Sequence, residues 1–199
     1  MNTKKKNNFF KSLRFRIMII LVILGILPGV IITQLMVRNY EKEALEVRAG
    51  SVRTQCVILC NQLIKENYLN DPSSENIDSK LEILSNMYGG RILLVDRDFR
   101  IVKDTYHVDE EKTLVSPRVI KCFKSGESTE YYKDGQTFQI AVPIKSADVP
   151  QIQGAMLVTV SCSEIRATII ELEQQGMLIM AIIVVLSIIL AYMLSTILV

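Results

Sequence analysis

Arg91-Ile92-Leu93-Leu94-Val95-Asp96-Arg97-Asp98-Phe99-Arg100-Ile101-Val102-Lys103-Asp104 is the stretch that decides the fold. Residues 91–95 are a short apolar run, residues 96–99 a polar turn, and residues 100–103 a second run, which predicts an antiparallel hairpin. Toward the C-terminus, residues 129–133, the Asp134-Gly135 turn and the alternating Phe138, Ile140, Val142 and Ile144 predict a second hairpin with one face on a core. Residues 154–160 predict a fifth strand. Between the hairpins the polar residues 105–115 lead to Ser116-Pro117, a helix start with a capping hydroxyl and Pro at the first helical position. Val119, Ile120 and Phe123 of that helix are expected to face inward, and Gly126 stops it.

Upstream of the hairpin the period is helical. Ser73 or Ser74 caps a helix whose buried stripe is Ile77, Leu81, Leu84 and Met87, and Gly89-Gly90 supplies a left-handed exit. Before it, Leu45, Ala49, Val52, Cys56, Leu59 and Leu63 recur at spacings of 4, 3, 4, 3 and 4. They make one seam on a long helix that runs to about residue 68, and that seam is the expected dimer contact. Asn70-Asp71-Pro72 ends the helix. At the other end, Ser161-Cys162-Ser163-Glu164 reads as a capping box with Ser161 as N-cap, opening a helix that carries Ile165, Ile169 and Leu172. The fold class is α+β: a long N-terminal helix plus about five antiparallel strands.

Both ends of this domain run into charge-free apolar segments, residues 17–37 and 177–199. The first spans roughly 32 Å as a helix, enough for a hydrocarbon core of about 30 Å. A helix also satisfies its own backbone in lipid. Lys4, Lys5, Lys6, Lys11, Arg14 and Arg16 precede it without an acid among them, which places residues 1–16 in the cytoplasm. All 21 Asp and Glu lie in residues 38–176 with 17 of the 23 Lys and Arg, so the tail carries +6 and the middle −4. The middle is therefore expected outside the cytoplasm. Beside a span, the basic tail reads as a topology signal in contact with membrane lipids. No Trp and few exposed aromatics argue against a nucleic-acid partner. The first span is longer than the apolar core of a signal peptide and no A-x-A-like site follows, so it is expected to stay as an anchor. Pro28-Gly29 allows a kink within it. The second span ends at Val199 without a basic or aromatic flank, and a cytoplasmic portion is expected beyond it.

Cys56, Cys60, Cys122 and Cys162 all fall in the outer segment, where disulfides are permitted. Two readings stay open: small buried apolar side chains, or a Cys122–Cys162 bridge. No Cys/His spacing suggests a metal. His107 is the one histidine, so neither a catalytic triad nor a His metal cluster can be built. Kinase nucleotide motifs and Gly-rich phosphate loops are missing. These residues are expected to catalyse nothing and to hold no cofactor and no metal.

Leu94-Val95-Asp96-Arg97-Asp98-Phe99-Arg100-Ile101-Val102-Lys103-Asp104 resembles the central hairpin of single Cache domains, the PAS-like extracytoplasmic sensors of bacterial two-pass receptors. Their hairpin reads apolar-apolar-Asp, a polar turn, an apolar pair, then Asp. The helix at 119–126, the strands at 131–145 and the closing Gly154-Ala155-Met156-Leu157-Val158-Thr159-Val160-Ser161 follow in that family's order. The likeness covers nearly the whole chain and is nearest in style to the sensor half of membrane histidine kinases. It implies a bacterial cell membrane location, a parallel homodimer, and an adjoining cytoplasmic HAMP and kinase portion that this chain lacks.

In that family small molecules sit between the sheet and the loops that cross it. Here those loops include residues 105–116, and the candidate ligand residues are Tyr88, Arg91, Tyr106, Arg118, Tyr131 and Gln139. Arg91 and Arg118 suit an anionic ligand. Asp109-Glu110-Glu111 reads either as a site for divalent cations or a cationic peptide, or as a solvated acidic loop. The signal is an unknown extracytoplasmic ligand or partner protein. Three outputs compete: a histidine kinase, a chemoreceptor or diguanylate cyclase, and a two-pass binding or structural protein without output.

Overall fold

A computed structural model of the chain describes residues 13–126, 129–133, 137–145 and 151–197. The chain forms two compact units: the terminal segments Met1–Lys42 with Ala167–Val199, and the sheet domain Glu43–Arg166. Its elements are α1 (Leu13–Lys65), α2 (Glu75–Met87), β1 (Arg91–Asp96), β2 (Ile101–Asp104), α3 (Pro117–Ser125), β3 (Thr129–Lys133), β4 (Thr137–Lys145), β5 (Ile152–Ser161) and α4 (Ser163–Ile197). The five strands form one antiparallel sheet in the order β2-β1-β5-β4-β3.

Alternation along the strands divides the sheet domain into two cores. Ile92 and Leu94 of β1, Phe138, Ile140, Val142 and Ile144 of β4, and Met156, Val158 and Val160 of β5 point to one face. There they meet Ala49, Val52, Cys56, Leu59, Cys60 and Leu63 of α1 and Ile77, Leu81 and Leu84 of α2. Leu93, Val95, Ile101, Ala141, Ala155 and Leu157 point to the other face, where Val119 and Cys122 of α3 cover them. Phe99 and Phe123 close this second core edge to face, with ring centroids 5.3 Å apart.

Several expectations change here. The seam Leu45, Ala49, Val52, Cys56, Leu59, Leu63 is the stripe that α1 buries against its own sheet, with Leu45 packed at its margin. It is not a free surface for a second chain. Met87 is exposed; the α2 stripe runs Ile77, Leu81, Leu84 and then closes on Tyr88, four residues on. Ser74 and Ser116 take the N-cap positions of α2 and α3, but neither hydroxyl makes a capping bond; Ser74 donates to Glu66 instead. Ser161 remains in β5, so α4 starts one residue later than a Ser161 cap implies. Its hydroxyl still accepts the N–H of Ser163 at 3.2 Å, while Glu164 pairs with Arg48 at 3.2 Å. The Asp134-Gly135 turn and the basic residues through Lys11 lie outside the described residues.

The exit from α2 is a left-handed Gly89 (φ 56°) followed by Gly90, where a Cβ would stand 1.7 Å from the Thr159 carbonyl oxygen. Only Gly lets β1 start that close to β5.

In the terminal unit, α1 and α4 each contain a stretch long and apolar enough to cross a membrane, with none of it buried in protein. Pro28 lies inside α1 without ending it. The two helices meet through small residues. A Cβ at Gly25 would stand 3.0 Å from Ser187 Oγ, and one at Gly176 would stand 2.6 Å from Thr33 Cγ2. Small side chains allow such close approach between helices in lipid.

All four cysteines are free and buried. Cys162 belongs to the core under α1 and Cys122 to the core under α3, so the sheet lies between them and a Cys122–Cys162 bridge is excluded. Burial pushes the Cys56 thiol up to about 12 and the Cys122 thiol up to about 11, which keeps both protonated and unreactive. In the folded protein no thiol should react with a water-soluble disulfide reagent. In denaturant without reductant all four should react, whereas a bridged pair would leave only two.

Candidate functional site

The α3 side of the sheet carries a row of polar residues in register across β1, β5 and β4, in line with the backbone of Tyr131 in β3. Arg91 of β1 pairs with Thr159 of β5, Thr159 with Gln139 of β4, and Gln139 with Tyr131 of β3. Gln139 Nε2 donates to Thr159 Oγ1 at 3.1 Å. Arg118, in the first turn of α3, reaches down to the same side chain, its Nη1 donating to Gln139 Oε1. The row lies in line with Leu93 and Leu157 on the strands, so polar side chains continue the face that is otherwise the second core.

Arg91, at one end of the row, organises the loop between β2 and α3. Its Nε donates to Asp104 Oδ1 at 2.8 Å, and its Nη2 donates to Asp104 Oδ2 and, at 2.6 Å, to Asp109 Oδ2. Asp104 is fully buried. Beyond Arg91 it accepts the backbone N–H of Tyr106 at 3.0 Å and those of Val108 and Asp109 at 2.9 Å each. Burial alone pushes this carboxyl up, but the Arg91 guanidinium and the three N–H groups outweigh it and hold it well below the usual carboxylate range. A charged carboxylate with every lone pair engaged is the form in which a buried ion pair is tolerated.

The rest of the loop is tied to this centre. Tyr106 is exposed and lies beside the Arg91 guanidinium, 5.8 Å from its ring centroid. Asp109 also takes Lys112 Nζ at 2.7 Å; Lys112 first and Arg91 second lower its carboxyl. His107, left-handed at φ 53°, sets Nδ1 3.0 Å from Glu110 Oε1, and Glu111 lies 3.5 Å from Arg100. Each member of the acidic triplet therefore has a basic partner: Lys112 and Arg91 for Asp109, His107 for Glu110 and Arg100 for Glu111. Among the described residues no group of three or more His, Cys, Asp or Glu is placed to hold a metal ion.

Of the candidate ligand residues, the structure brings Arg91, Arg118 and Gln139 to one side of the sheet, with Tyr106 beside Arg91. The backbone of Tyr131 joins the same row; its side chain lies outside the described residues. Tyr88 is elsewhere. It is buried on the α1 side, its hydroxyl 3.1 Å from Ser51 Oγ and its ring under Arg48 at 5.2 Å. Arg91 is held by two carboxylates, Asp104 and Asp109, and through them braces the loop. Asp104 was missed by the sequence reading as a site residue, although an Asp closing an apolar strand beside an Arg-initiated one is the available signal. A polar cleft of about 340 Å³ was missed as well. The α1–α2 turn (Asn67, Leu69, Asn70), the β1–β2 turn (Asp96, Arg97, Asp98) and Gln153 line it.

No family model and no curated protein matches the chain. Solved structures do. The chain is similar to an extracellular ligand binding receptor from Desulfohalobium retbaense at 14% identity and a TM-score of 0.53, over 68% of this chain and 26% of that one. It is similar to the sensor domain of the histidine kinase DctB of V. cholerae at 14% identity and a TM-score of 0.51, over 66% of this chain and 55% of that one. It thus spans about a quarter of the first and about half of the second. The shared feature is the fold, which is that of extracellular sensor domains and agrees with the Cache resemblance.

Removing the buried carboxylate tests the loop's construction. Asp104→Asn should cost about 3 kcal/mol at pH 7, because Arg91 and three N–H groups lose a charged partner. Asp104 is depressed in the folded state, so its contribution is fully present above the unfolded carboxylate value of about 4 and is lost as pH falls below it. Denaturant titrations at pH 7 and pH 3 should show the gap between wild type and variant shrinking at the lower pH.

Proposed function

We propose that this chain is the signal-sensing and signal-relaying half of a bacterial two-pass membrane receptor. In this reading residues 1–16 are cytoplasmic, residues 17–37 and 177–199 cross the membrane, and residues 38–176 are the extracytoplasmic sensor. The observation that carries it is the continuity of α1 and α4. Each is a single helix that contains a membrane-length apolar stretch, and each is also part of the sheet domain, as its first and last element. A change in the sheet that shifts one helix against the other is thereby delivered across the bilayer. The ligand's effect on output equals its difference in affinity between the two arrangements.

The output we infer is a histidine kinase, supported by the fold shared with the DctB sensor domain. A chemoreceptor or a diguanylate cyclase is the alternative output for the same sensing half. The ligand we infer is a small anion received on the α3 side of the sheet. Arg118 and Gln139 would bear on it, and the loop braced by Asp104 and Arg91 would cover it.

Thermal-shift screening of the chain in lipid nanodiscs against small carboxylates and phosphates tests the anion reading. A ligand at 100 times its Kd adds about 2.7 kcal/mol, a rise of roughly 5–10 °C for a chain of this size. Arg118→Ala should abolish that rise and Tyr88→Phe should leave it. A screen in which no anion raises the midpoint, or one whose hit survives Arg118→Ala, contradicts the assigned site.

A further inference from the structure

At the end of the sheet away from the start of α4, three connections meet around the polar cleft of about 340 Å³. The turn after α1 supplies Asn67, Leu69 and Asn70, the β1–β2 turn supplies Asp96, Arg97 and Asp98, and the beginning of β5 supplies Gln153. Arg91 opens β1 and Asp96 closes it, so the cleft and the Arg91–Gln139 row lie at opposite ends of one strand. Small-molecule sites run from about 300 to 1,000 Å³, so the cleft suits a ligand at the small end of that range.

Each wall is fixed locally. A Cβ at Gly154 would stand 2.6 Å from the Val95 carbonyl oxygen and 2.9 Å from Leu69 Cδ1, so only Gly lets the α1–α2 turn settle onto β1 and β5. Gln153 is the extra residue of a bulge: Ile144 pairs with Gly154 and Lys145 with Ile152, which leaves Gln153 between them. A bulge re-aims a side chain, and this one lines the cleft. Asn67 is left-handed at φ 50°, a conformation that Asn tolerates, and its Oδ1 accepts Asn70 Nδ2 at 2.7 Å. Asp96 Oδ1 accepts the N–H groups of Asp98 and Arg100 at 2.9 Å each.

The groups left over decide the ligand. Asn67 Nδ2, Arg97 Nη2 and Gln153 Nε2 remain as donors, and Asn70 Oδ1, Asp96 Oδ2 and the Asp98 carboxylate as acceptors, none with a partner among the described residues. A hydroxyl both donates and accepts, so neighbouring hydroxyls use this mixture fully. An anion would face Asp96 and Asp98. A metal ion would lack a third carboxylate among the described residues. The carboxylate of an amino acid would find Arg97 Nε already on the Ile152 carbonyl at 3.0 Å and Nη1 on Gln151 at 3.4 Å, which leaves no two-pronged clamp for it.

We propose that this cleft is a second binding site, for a neutral saccharide unit held by Asn67, Asn70, Asp98 and Gln153. Leu69, half-buried on the floor, meets the C–H face of the ring. The site shares no residue with the anion site on the α3 side, and each stands without the other.

Saturation-transfer NMR on the whole chain in lipid nanodiscs tests it, with glucose, galactose, mannose and N-acetylglucosamine as neutral probes and serine and phosphate as charged competitors. At least one sugar should receive transfer from the protein, and neither competitor should displace it. Asp98→Ala removes an acceptor, and Asn67→Gly removes an amide while keeping the left-handed backbone without strain. Each should weaken the sugar's binding about tenfold, the effect of losing one hydrogen bond to a charged or well-placed group. Val115→Ser, exposed on the β2–α3 loop, should leave binding unchanged. Continued protection of the four buried thiols shows that each variant is folded. No transfer to any of the four sugars, a sugar signal that survives both substitutions, or displacement by serine or phosphate overturns the proposal. The anion screen uses other probes and another variant, so failure of either leaves the other readable.

Discussion

Burial of the Leu45–Leu63 row of α1 against one face of the sheet is the contact from which the other features follow. Each Leu or Val fully buried there contributes about 1.5–3 kcal/mol, so Val52, Leu59 and Leu63 together outweigh any single polar interaction in the domain. It assigns Ile92, Leu94 and the even-numbered residues of β4 to α1. Strand alternation then leaves Arg91, Gln139 and Thr159 for the opposite side. The end of α1 is fastened by a polar group: the buried Tyr68 donates its hydroxyl to Asp78, which also holds Lys103 of β2 at 3.0 Å. Helix, second helix and edge strand are thus joined at one point.

On the opposite side a different device operates. The β2–α3 loop has few apolar residues to bury, and it is ordered instead around a single carboxylate. Asp104 collects a guanidinium and three backbone N–H groups, which sets the path of residues 104–109. Arg91 and Arg118 therefore divide the work. Arg91 is committed to holding the loop, and Arg118 reaches the polar row through Gln139. In the proposed receptor the first is part of the frame and the second faces the ligand.

The sequence was legible where local chemistry and burial agree. The hairpin at 91–104, the alternating β4, the Pro117 start and the left-handed Gly126 stop are all read from side-chain type and spacing, and the structure has them. The seam on α1 shows where such reading ends. Spacings of 3 and 4 identify a buried stripe but not what buries it, and a sheet from the same chain covers a heptad as well as a second helix does. Tyr88 was misplaced for a related reason. One residue past α2 its direction depends on how the chain turns at Gly89, which spacing does not encode. The two cysteines at 122 and 162 looked bridgeable only because a sequence does not say which side of a sheet each will occupy.

In the proposed receptor the membrane spans are extensions of the helices that hold the sheet domain, and that domain lies outside the cytoplasm. The most direct test of this topology uses the buried native thiols as a silent background. A single cysteine at Val115, 71% exposed on the β2–α3 loop, is treated in intact cells with a membrane-impermeant maleimide. A second variant carries its cysteine at Lys5. In the proposed topology position 115 is labelled without lysis and position 5 only after lysis. Labelling at 115 that appears only after lysis would place the sheet domain in the cytoplasm and contradict the account.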